Sequence, residues 1–494
     1  MSEKRTDVIV IGGGTGGYST ALRAASLGLD VTLVERDLIG GTCLHRGCVP
    51  SKAMLHAAEL VDGVAEARER WGVKATLDSV DWSALTATRD DIVTRNHKGV
   101  ESQLARAGVH VVRGAARLTG PRTVHVDAAP LAGVPAGDPG DPAGGSPGGT
   151  WRAARGIVLA TGSRPRTLPG LEPDGRSVVT SDDALFAPGL PGSVLVLGGG
   201  AIGVEYASFH RSMGADVTLV EAADRLLPLE DEDVSRQMTR ALRKRGITVL
   251  AGARVTGAER GADGGGVRVA VNAPRGGPAG GALTVERLLV AVGRTPVTDG
   301  LGLGAAGVAT DERGYVPPAS WTTLETPVRG IHVVGDLLPP PSLGLAHASF
   351  AEGLLVAETL AGRAPRPVDY TAVPRVTYSS PQTASVGLTE AQARAAVGEV
   401  AVNTLPLTAT AKGMVHGQGG MVKVVTEPTP EGRVLGVHLV GPHVSEMIAE
   451  SQLAVAWDAS AADIAQHIHP HPTLSEAVGE VFLSLAGRAL HQHG

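Results

Sequence analysis

The chain holds two cysteines, five positions apart in Gly40-Gly41-Thr42-Cys43-Leu44-His45-Arg46-Gly47-Cys48-Val49-Pro50-Ser51-Lys52. A 494-residue chain with one close pair and no other cysteine points to sulfur used for chemistry rather than for stapling a fold. A disulfide needs its two Cα atoms within about 4.4–6.8 Å, whereas five steps of regular helix rise roughly 7.5 Å. Closure therefore demands irregular backbone, which predicts Cys43 in a loop or distorted first turn and Cys48 at or inside the following helix. A helix start also favours a thiolate through its free N–H groups. Lys52 follows Cys48 by four residues. If the helix has begun, both share a face, and the cation would hold a thiolate or an electron-rich ring. The plain alternative is a solvated surface lysine.

A second constellation lies near the C-terminus, in His467-Ile468-His469-Pro470-His471-Pro472-Thr473-Leu474-Ser475-Glu476. Glu476 could orient and polarise His471 as a general base. Thr473 and Glu476 read equally well as a capping box that starts the last helix. The three histidines at spacing two, with His491 and His493, also admit a metal site, although zinc takes defined pairs with a third ligand. Asp336 follows Gly335 at the end of a strand-like run. It could bond the sugar-like chain of a cofactor or cap the next helix.

The elements around these residues are legible. Residues 7–11 (DVIVI) form a short β-branched run typical of a buried parallel strand. Gly12, Gly14 and Gly17 follow in G-x-G-x-x-G spacing, then a helical stretch 18–27, then a strand 31–34 ending in Glu35. Such glycines let a pyrophosphate approach a helix N-terminus, and the acid is placed for a ribose hydroxyl. The unit recurs: strand 193–197, then Gly198, Gly200 and Gly203, then strand 217–220 leading into Glu221. Two fingerprints imply two dinucleotides, and Glu221 favours NAD over NADP because a carboxylate repels a 2′-phosphate. Beyond residue 370, strand-like runs (373–378, 421–425, 434–439) alternate with helical ones (389–396, 445–457, 472–486), which reads as a separate α+β domain. Residues 131–150 and 257–282 are rich in Gly and read as surface insertions without packed structure. Pro339 to Pro341 predict a stiff loop.

Composition excludes several classes. A net charge of −6, from 44 basic and 50 acidic residues, speaks against nucleic acid as a partner. Aromatics at 3% leave few platforms for base stacking. No apolar run approaches the roughly 20 residues of a membrane span. The polar start at residues 1–6 runs straight into a strand, which leaves no room for a secretory segment. The expectation is a protein of the reducing cytoplasm.

The segment GGTCLHRGCVPSK resembles the redox-active disulfide of the pyridine nucleotide–disulfide oxidoreductases, and the chain is similar end to end to their dihydrolipoyl dehydrogenases. The motifs in order are GGGTGG (12–17), ATGSRP (160–165), GGGAIGVE (198–205), VGRTP (292–296), VVGD (333–336), LAH (345–347), VLGVHLVGP (434–442) and HPTLSE (471–476). The resemblance implies an α/β fold with two Rossmann-like FAD- and NAD-binding domains and a C-terminal α+β dimerisation domain. Its boundaries would be 1–168 for FAD (with the insertion 131–150), 169–297 for NAD, 298–367 for a central part completing the FAD site and 368–494 for the interface. It implies FAD held by Gly12, Gly14, Gly17, Glu35, Gly41, Thr42, Lys52, Ala116, Thr161, Gly162, Ser163, Asp336, Leu345, Ala346 and His347. NAD would be held by Gly198, Gly200, Ala201, Ile202, Gly203, Glu205, Glu221, Val255 and Gly293. Cys43 would meet the substrate and Cys48 the flavin. His471, oriented by Glu476, would be the base acting on the partner subunit's disulfide in a homodimer, and Glu205 would pair with Lys52. The partner protein would be a lipoyl-bearing acyltransferase of a 2-oxo acid dehydrogenase complex or the glycine-cleavage lipoyl protein.

The chain departs from that pattern in places. His45 and Arg46 stand where many relatives have Asn and a small apolar residue, which implies a shifted disulfide potential; Arg46 could lower a thiol pKa. Pro470 would stiffen the base's loop, Ala116 replaces a glycine near the adenine, and the proline run lies between Asp336 and Leu345. Rival readings remain within and beyond enzymes. A mercuric reductase would carry a further C-terminal cysteine pair. A glutathione- or mycothiol-type reductase would read NADPH through arginines where this chain has Glu221 and Asp224, although Arg225 is close. A soluble transhydrogenase lacks one redox cysteine. A non-catalytic flavoprotein, a redox sensor or a binding subunit of a complex, would keep its role after Cys43→Ser.

Overall fold

The computed structural model describes residues 3–127, 148–261, 266–272 and 281–491. Most of the 131–150 insertion lies outside these residues. The fold is α/β, and its contacts divide into two compact units: residues 1–53, 83–165 and 294–370, and residues 54–82, 166–293 and 371–494.

The first unit is built on a sheet whose parallel strands are β1 (Lys4–Ile11), β2 (Val31–Glu35), β3 (His110–Arg113), β6 (Gly149–Leu159) and Ile331–Val333. The strands β5 (Thr123–Asp127), antiparallel to β6, and β4 (Ala115–Gly120), antiparallel to β5, extend it. Val8, Ile9, Val10 and Leu33 are fully buried, as both-sided cover of a parallel sheet requires. Helix α1 (Thr15–Ser26) crosses from β1 to β2. It packs tightly on the helix Ala346–Leu360: a Cβ on Gly353 would come 2.9 Å from the Gly16 carbonyl oxygen and 3.0 Å from Thr20 Oγ1. After β2 come α2 (Gly41–His45), α3 (Cys48–Trp71) and α4 (Trp82–Arg106).

The second unit repeats the parallel design. Its sheet runs Thr248–Ala251, Asp216–Glu221, Ser193–Leu197, Arg287–Val290 and Val178–Val179, in that spatial order. A five-stranded antiparallel sheet follows, in the order Arg375–Thr377, Gln382–Gly387, Val434–Gly441, Met421–Thr426 and Ala401–Pro406. Lys423, only 3% exposed, joins these two sheets' elements by bonding Asp231 at 2.8 Å, Asp233 at 2.7 Å and Glu390 at 2.8 Å.

Two sequence expectations change. The described part of residues 257–282 is not structureless: Arg254–Arg260, Val267–Asn272 and Gly281–Val285 form a three-stranded antiparallel sheet. Val267, Val269 and Val271 are buried on one face, a period of two that the surrounding glycines obscured. The last helix is Glu476–Leu485, not 472–486. Thr473 turns its hydroxyl back to the Pro470 carbonyl and its N–H to the Glu476 carboxylate, so the segment before Glu476 is held as a loop and the helix starts later. Among the described residues, no helix is long and apolar enough to cross a membrane.

Candidate active site

The cysteines sit at a break between two helices, as irregular backbone requires. Cys43 lies inside the short α2 and Cys48 is the first residue of α3. Gly40 and Gly41 enter the turn with φ of 106° and 59°, left-handed backbone that favours glycine. Gly47 brings its two limbs together, since a Cβ there would stand 2.9 Å from the Thr42 carbonyl oxygen and 3.4 Å from Cys43 Cα. Cys43 is half-buried and Cys48 exposed. A hydrogen bond that the Cys43 thiol donates to Cys48 is the main influence raising its pKa, followed by burial and the charge of Cys48; the Lys52 ammonium works against them. Lys52 lies one turn into α3 and is the cation that favours a thiolate on Cys43. Arg46 bonds Asp37 at 2.7 Å. Tyr18 on α1 is also near enough for its pKa to be raised, by burial first and then by Cys43.

The first fingerprint suits a dinucleotide. Gly12 has φ of 104°, and a Cβ on Gly17 would collide with the Gly12 carbonyl oxygen. The N-cap of α1 is Gly14, which supplies no side-chain cap, so first-turn N–H groups stay available to an anion. Glu35 accepts from Gly13 N–H at 2.5 Å and Asp37 N–H at 2.7 Å, and burial raises its pKa against those bonds. Asp336 lies in a 3-10 turn and caps no α-helix. Its carboxylate accepts from the Ser163 hydroxyl, and burial raises its pKa despite Ser163 and Arg294. Arg294 donates to Ser163 Oγ at 2.7 Å and to its carbonyl at 2.8 Å. Thr161 donates to the Val297 carbonyl at 2.6 Å, and Gly162 has φ of 70°. Leu345 is the N-cap of the helix holding Ala346 and His347, while Ala116 lies on β4, which follows Gly114, whose N–H bonds the Glu35 carbonyl at 2.9 Å.

Sequence reasoning missed Glu352, which is fully buried. It accepts from Gly335 N–H at 2.7 Å, Ser342 Oγ at 2.9 Å and the Tyr370 hydroxyl at 3.0 Å. Both ends of the proline loop are thereby fastened to one side chain, between Asp336 and Leu345. Burial raises the pKa of Glu352. A lone Glu at an apolar helix position was the available signal.

The second fingerprint matches the first bond for bond. Gly198 has φ of 112°, and a Cβ on Gly203 would strike the Gly198 carbonyl oxygen. Gly200 caps the helix Ala201–Ser212 without a side chain. Glu221 accepts from Gly199 N–H at 2.5 Å and Ala223 N–H at 2.7 Å. Ala201 and Ile202 form its first turn, and Glu205, one turn on, accepts from Tyr378 N–H at 2.8 Å. Gly293 has φ of 106° and its carbonyl accepts from Arg166 N–H at 2.9 Å; Val255 lies on the strand Arg254–Arg260.

At the C-terminus two readings of one carboxylate coexist. Glu476 Oε1 bonds His471 Nδ1 at 2.6 Å, and its Oε2 accepts from Thr473 N–H at 2.8 Å. The reciprocal half of a capping box is missing, because the Thr473 hydroxyl donates to the Pro470 carbonyl at 2.8 Å. Burial pulls the Glu476 pKa up, but Thr473 and His471 outweigh it and hold it low. His471 is 74% exposed. His469 and His491 use different carboxylates, Glu450 and Glu480, each at 2.8 Å; His493 lies outside the described residues.

The profile of a family described as pyridine nucleotide-disulphide oxidoreductase matches residues 6–353, and that of its dimerisation domain residues 373–482. The chain is 39% identical over 489 residues to a dihydrolipoyl dehydrogenase of Bacillus subtilis (strain 168), covering 98% of this chain and 99% of that one. It is 39% identical over 490 residues to a dihydrolipoyl dehydrogenase of Thermus scotoductus, covering 99% of each. Its fold is similar to LpdA from Mycobacterium tuberculosis, with a TM-score of 0.84 and 25% identity over 98% of this chain and 99% of that one. It is also similar to the HOCl-induced flavoprotein disulfide reductase RclA from Escherichia coli in its Cu(II) complex, with a TM-score of 0.81 and 26% identity over 98% and 100%.

Proposed function

The chain belongs to the pyridine nucleotide-disulphide oxidoreductase family as an enzyme of the dihydrolipoyl dehydrogenase type, and on that premise we propose how its residues share the work. The observation that carries the proposal is the Cys43–Cys48 turn between α2 and α3, with Lys52 one turn into α3, beside a glycine cradle in the same unit. His471, polarised by Glu476, takes the proton from one thiol of a dihydrolipoyl group. The resulting thiolate attacks Cys43 Sγ, breaks the Cys43–Cys48 bond and releases Cys48 as a thiolate. The second dihydrolipoyl thiol then displaces Cys43, which leaves lipoyl disulfide and the reduced pair. His471 carries the protons between the leaving and entering sulfurs.

Gly12, Gly14, Gly17, Glu35 and Asp336 would hold FAD, and Gly198, Gly200, Gly203 and Glu221 would hold NAD. When bound, FAD supplies the route by which the electron pair of the dithiol reaches NAD⁺ as hydride. The dimerisation domain supports a homodimer. We assign His471 to the redox pair of the second copy, and a lipoyl-bearing protein of the cytoplasm as the substrate. The likeness to a flavoprotein disulfide reductase keeps another disulfide as the second reading.

The test is NAD⁺ reduction by dihydrolipoamide with purified, FAD-loaded protein. Wild type should turn over with NAD and not NADP. Cys43→Ser should lose lipoamide turnover by at least about a thousandfold while keeping some NADH-to-dye activity. Retained lipoamide turnover in Cys43→Ser would sink the assignment. Turnover by wild type of a different disulfide only would keep the mechanism and change the substrate.

A further inference from the structure

The residues between the two cysteines do more than space them. Behind the turn, His45 Nε2 lies 2.8 Å from the Ile39 carbonyl oxygen, and His97 Nδ1 lies 2.9 Å from the same atom. The two rings meet edge to face with centroids 4.9 Å apart. A carbonyl oxygen has two lone pairs, and here each imidazole takes one. Ile39 directly precedes the left-handed Gly40 and Gly41, so fixing its carbonyl fixes where the turn begins. His97 stands on the long helix α4, with its Nε2 3.4 Å from Glu101 Oε2, and Glu101 Oε1 accepts from Arg113 at 3.1 Å. From its own loop, His45 faces Arg46 and Asp37, which bond each other at 2.7 Å. Burial is the main reason the His45 pKa is lowered, so near neutral pH the ring is uncharged and has one N–H, used on Ile39.

We propose that His45 and His97 form a two-imidazole clamp that positions the Cys43 turn and so sets how readily the Cys43–Cys48 disulfide closes. This rests on the reading of these cysteines as the redox pair. Thiols held in place react at a high effective concentration, so the clamp favours the disulfide, and loosening it favours the dithiol. His45 and His97 are positioning residues, not groups that touch the reacting atoms.

The test equilibrates FAD-loaded wild type, His45→Asn, His97→Gln and the double variant in buffers of reduced and oxidised dithiothreitol at pH 7.5. In this exchange the enzyme disulfide gains the two electrons and two protons that dithiothreitol loses. Alkylation and mass measurement give the dithiol fraction; melting temperature and flavin content report folding. Each single variant should shift the equilibrium at least threefold toward dithiol, about 14 mV for a two-electron couple. The double variant should shift little more than the larger single one, because both act through one carbonyl. Single shifts below threefold in folded variants, or fully additive shifts, overturn the clamp. Should His45→Asn fail to fold, His97→Gln decides alone by the same threshold. Wild type without a reducible disulfide would instead overturn the redox-pair reading beneath it.

Discussion

The two glycine fingerprints are nearly the same object with different covers. Gly12 and Gly198 share left-handed backbone, Gly17 and Gly203 leave the same forbidden gap, and Glu35 and Glu221 make the same pair of bonds at 2.5 and 2.7 Å. Above the first, the chain's own segments close in. A Cβ on Gly41 would stand 2.7 Å from Gly14 Cα, and one on Gly16 would stand 2.9 Å from Val334 Cγ2. Above the second, a Cβ on Gly200 would meet nothing within 4 Å, and Ala201 is exposed. One motif can therefore serve a retained group or an exchanging one. The residues that make the two covers differ, such as Gly41 and Val334, are distant in sequence from the motif.

The largest expected effect separates the two covers. Gly41→Ala places a side chain at φ of 59° and against the Gly14 backbone; left-handed backbone alone costs roughly 1–2 kcal/mol. It should lose bound flavin, and with it all turnover, as read by visible absorbance after gel filtration. Gly200→Ala has room and a φ of −75°. It should keep its flavin and melting temperature, while the KM for NAD⁺ rises roughly tenfold because the methyl stands where a pyrophosphate must approach. A Gly41→Ala protein that keeps its flavin would break the comparison, as would a Gly200→Ala protein that loses it.

A smaller effect sharpens it. Glu221→Gln removes a charge from the second site while leaving an oxygen to accept from Gly199. The KM for NAD⁺ should rise about tenfold, near 1.4 kcal/mol for a charged hydrogen bond, and discrimination against NADP should weaken. Glu35→Gln should leave the KM for NAD⁺ within about twofold and weaken flavin retention instead. Steady-state kinetics with both nucleotides, beside flavin titration, would expose a crossed result.

What the sequence made legible follows from the range of each interaction. The fingerprints, their acids and the Cys43–Cys48 pair are local patterns, where backbone geometry dictates residue type within a few positions. His471 and Glu476 were legible as neighbours, but which bond Glu476 makes was not, and it makes both. The Glu352 hub reaches from Gly335 to Tyr370, and the Lys423 cluster reaches back to Asp231. Such ties depend on which elements fold together, and no spacing rule announces them. His45 was visible as an oddity between the cysteines, yet its partner His97 lies on another helix. The strand Val267–Asn272 was legible in its alternating valines and was outweighed by the glycines beside it.

The least effect expected is a difference in how acid acts on the helices that follow the two fingerprints. In α1 the buried polar groups are the Ser19 and Thr20 hydroxyls, both bonded to the Gly16 carbonyl, and neither titrates in the range of interest. In Ala201–Ser212 the buried polar groups are Glu205, Ser208 and His210; Glu205 accepts from Tyr378 N–H and Ser208 Oγ from Ser380 N–H, whereas His210, 1% exposed with rings of Tyr206 and Phe209 against it, has no hydrogen-bond partner for either nitrogen among the described residues. Burial first, then the Arg287 charge, lowers its pKa to about 3. The folded chain thus binds fewer protons than the unfolded one between pH 6.5 and about 3, so stability falls as pH drops through that window. From pH 7.5 to 5.5 the loss from this one group is about 1 kcal/mol. Hydrogen exchange should show it in Ala201–Ser212 and not in α1. His210→Phe, which keeps the ring and removes the proton, should flatten the pH dependence there. Equal acid sensitivity of both helices in wild type and variant would show that cover alone, and not this buried imidazole, distinguishes the two sites.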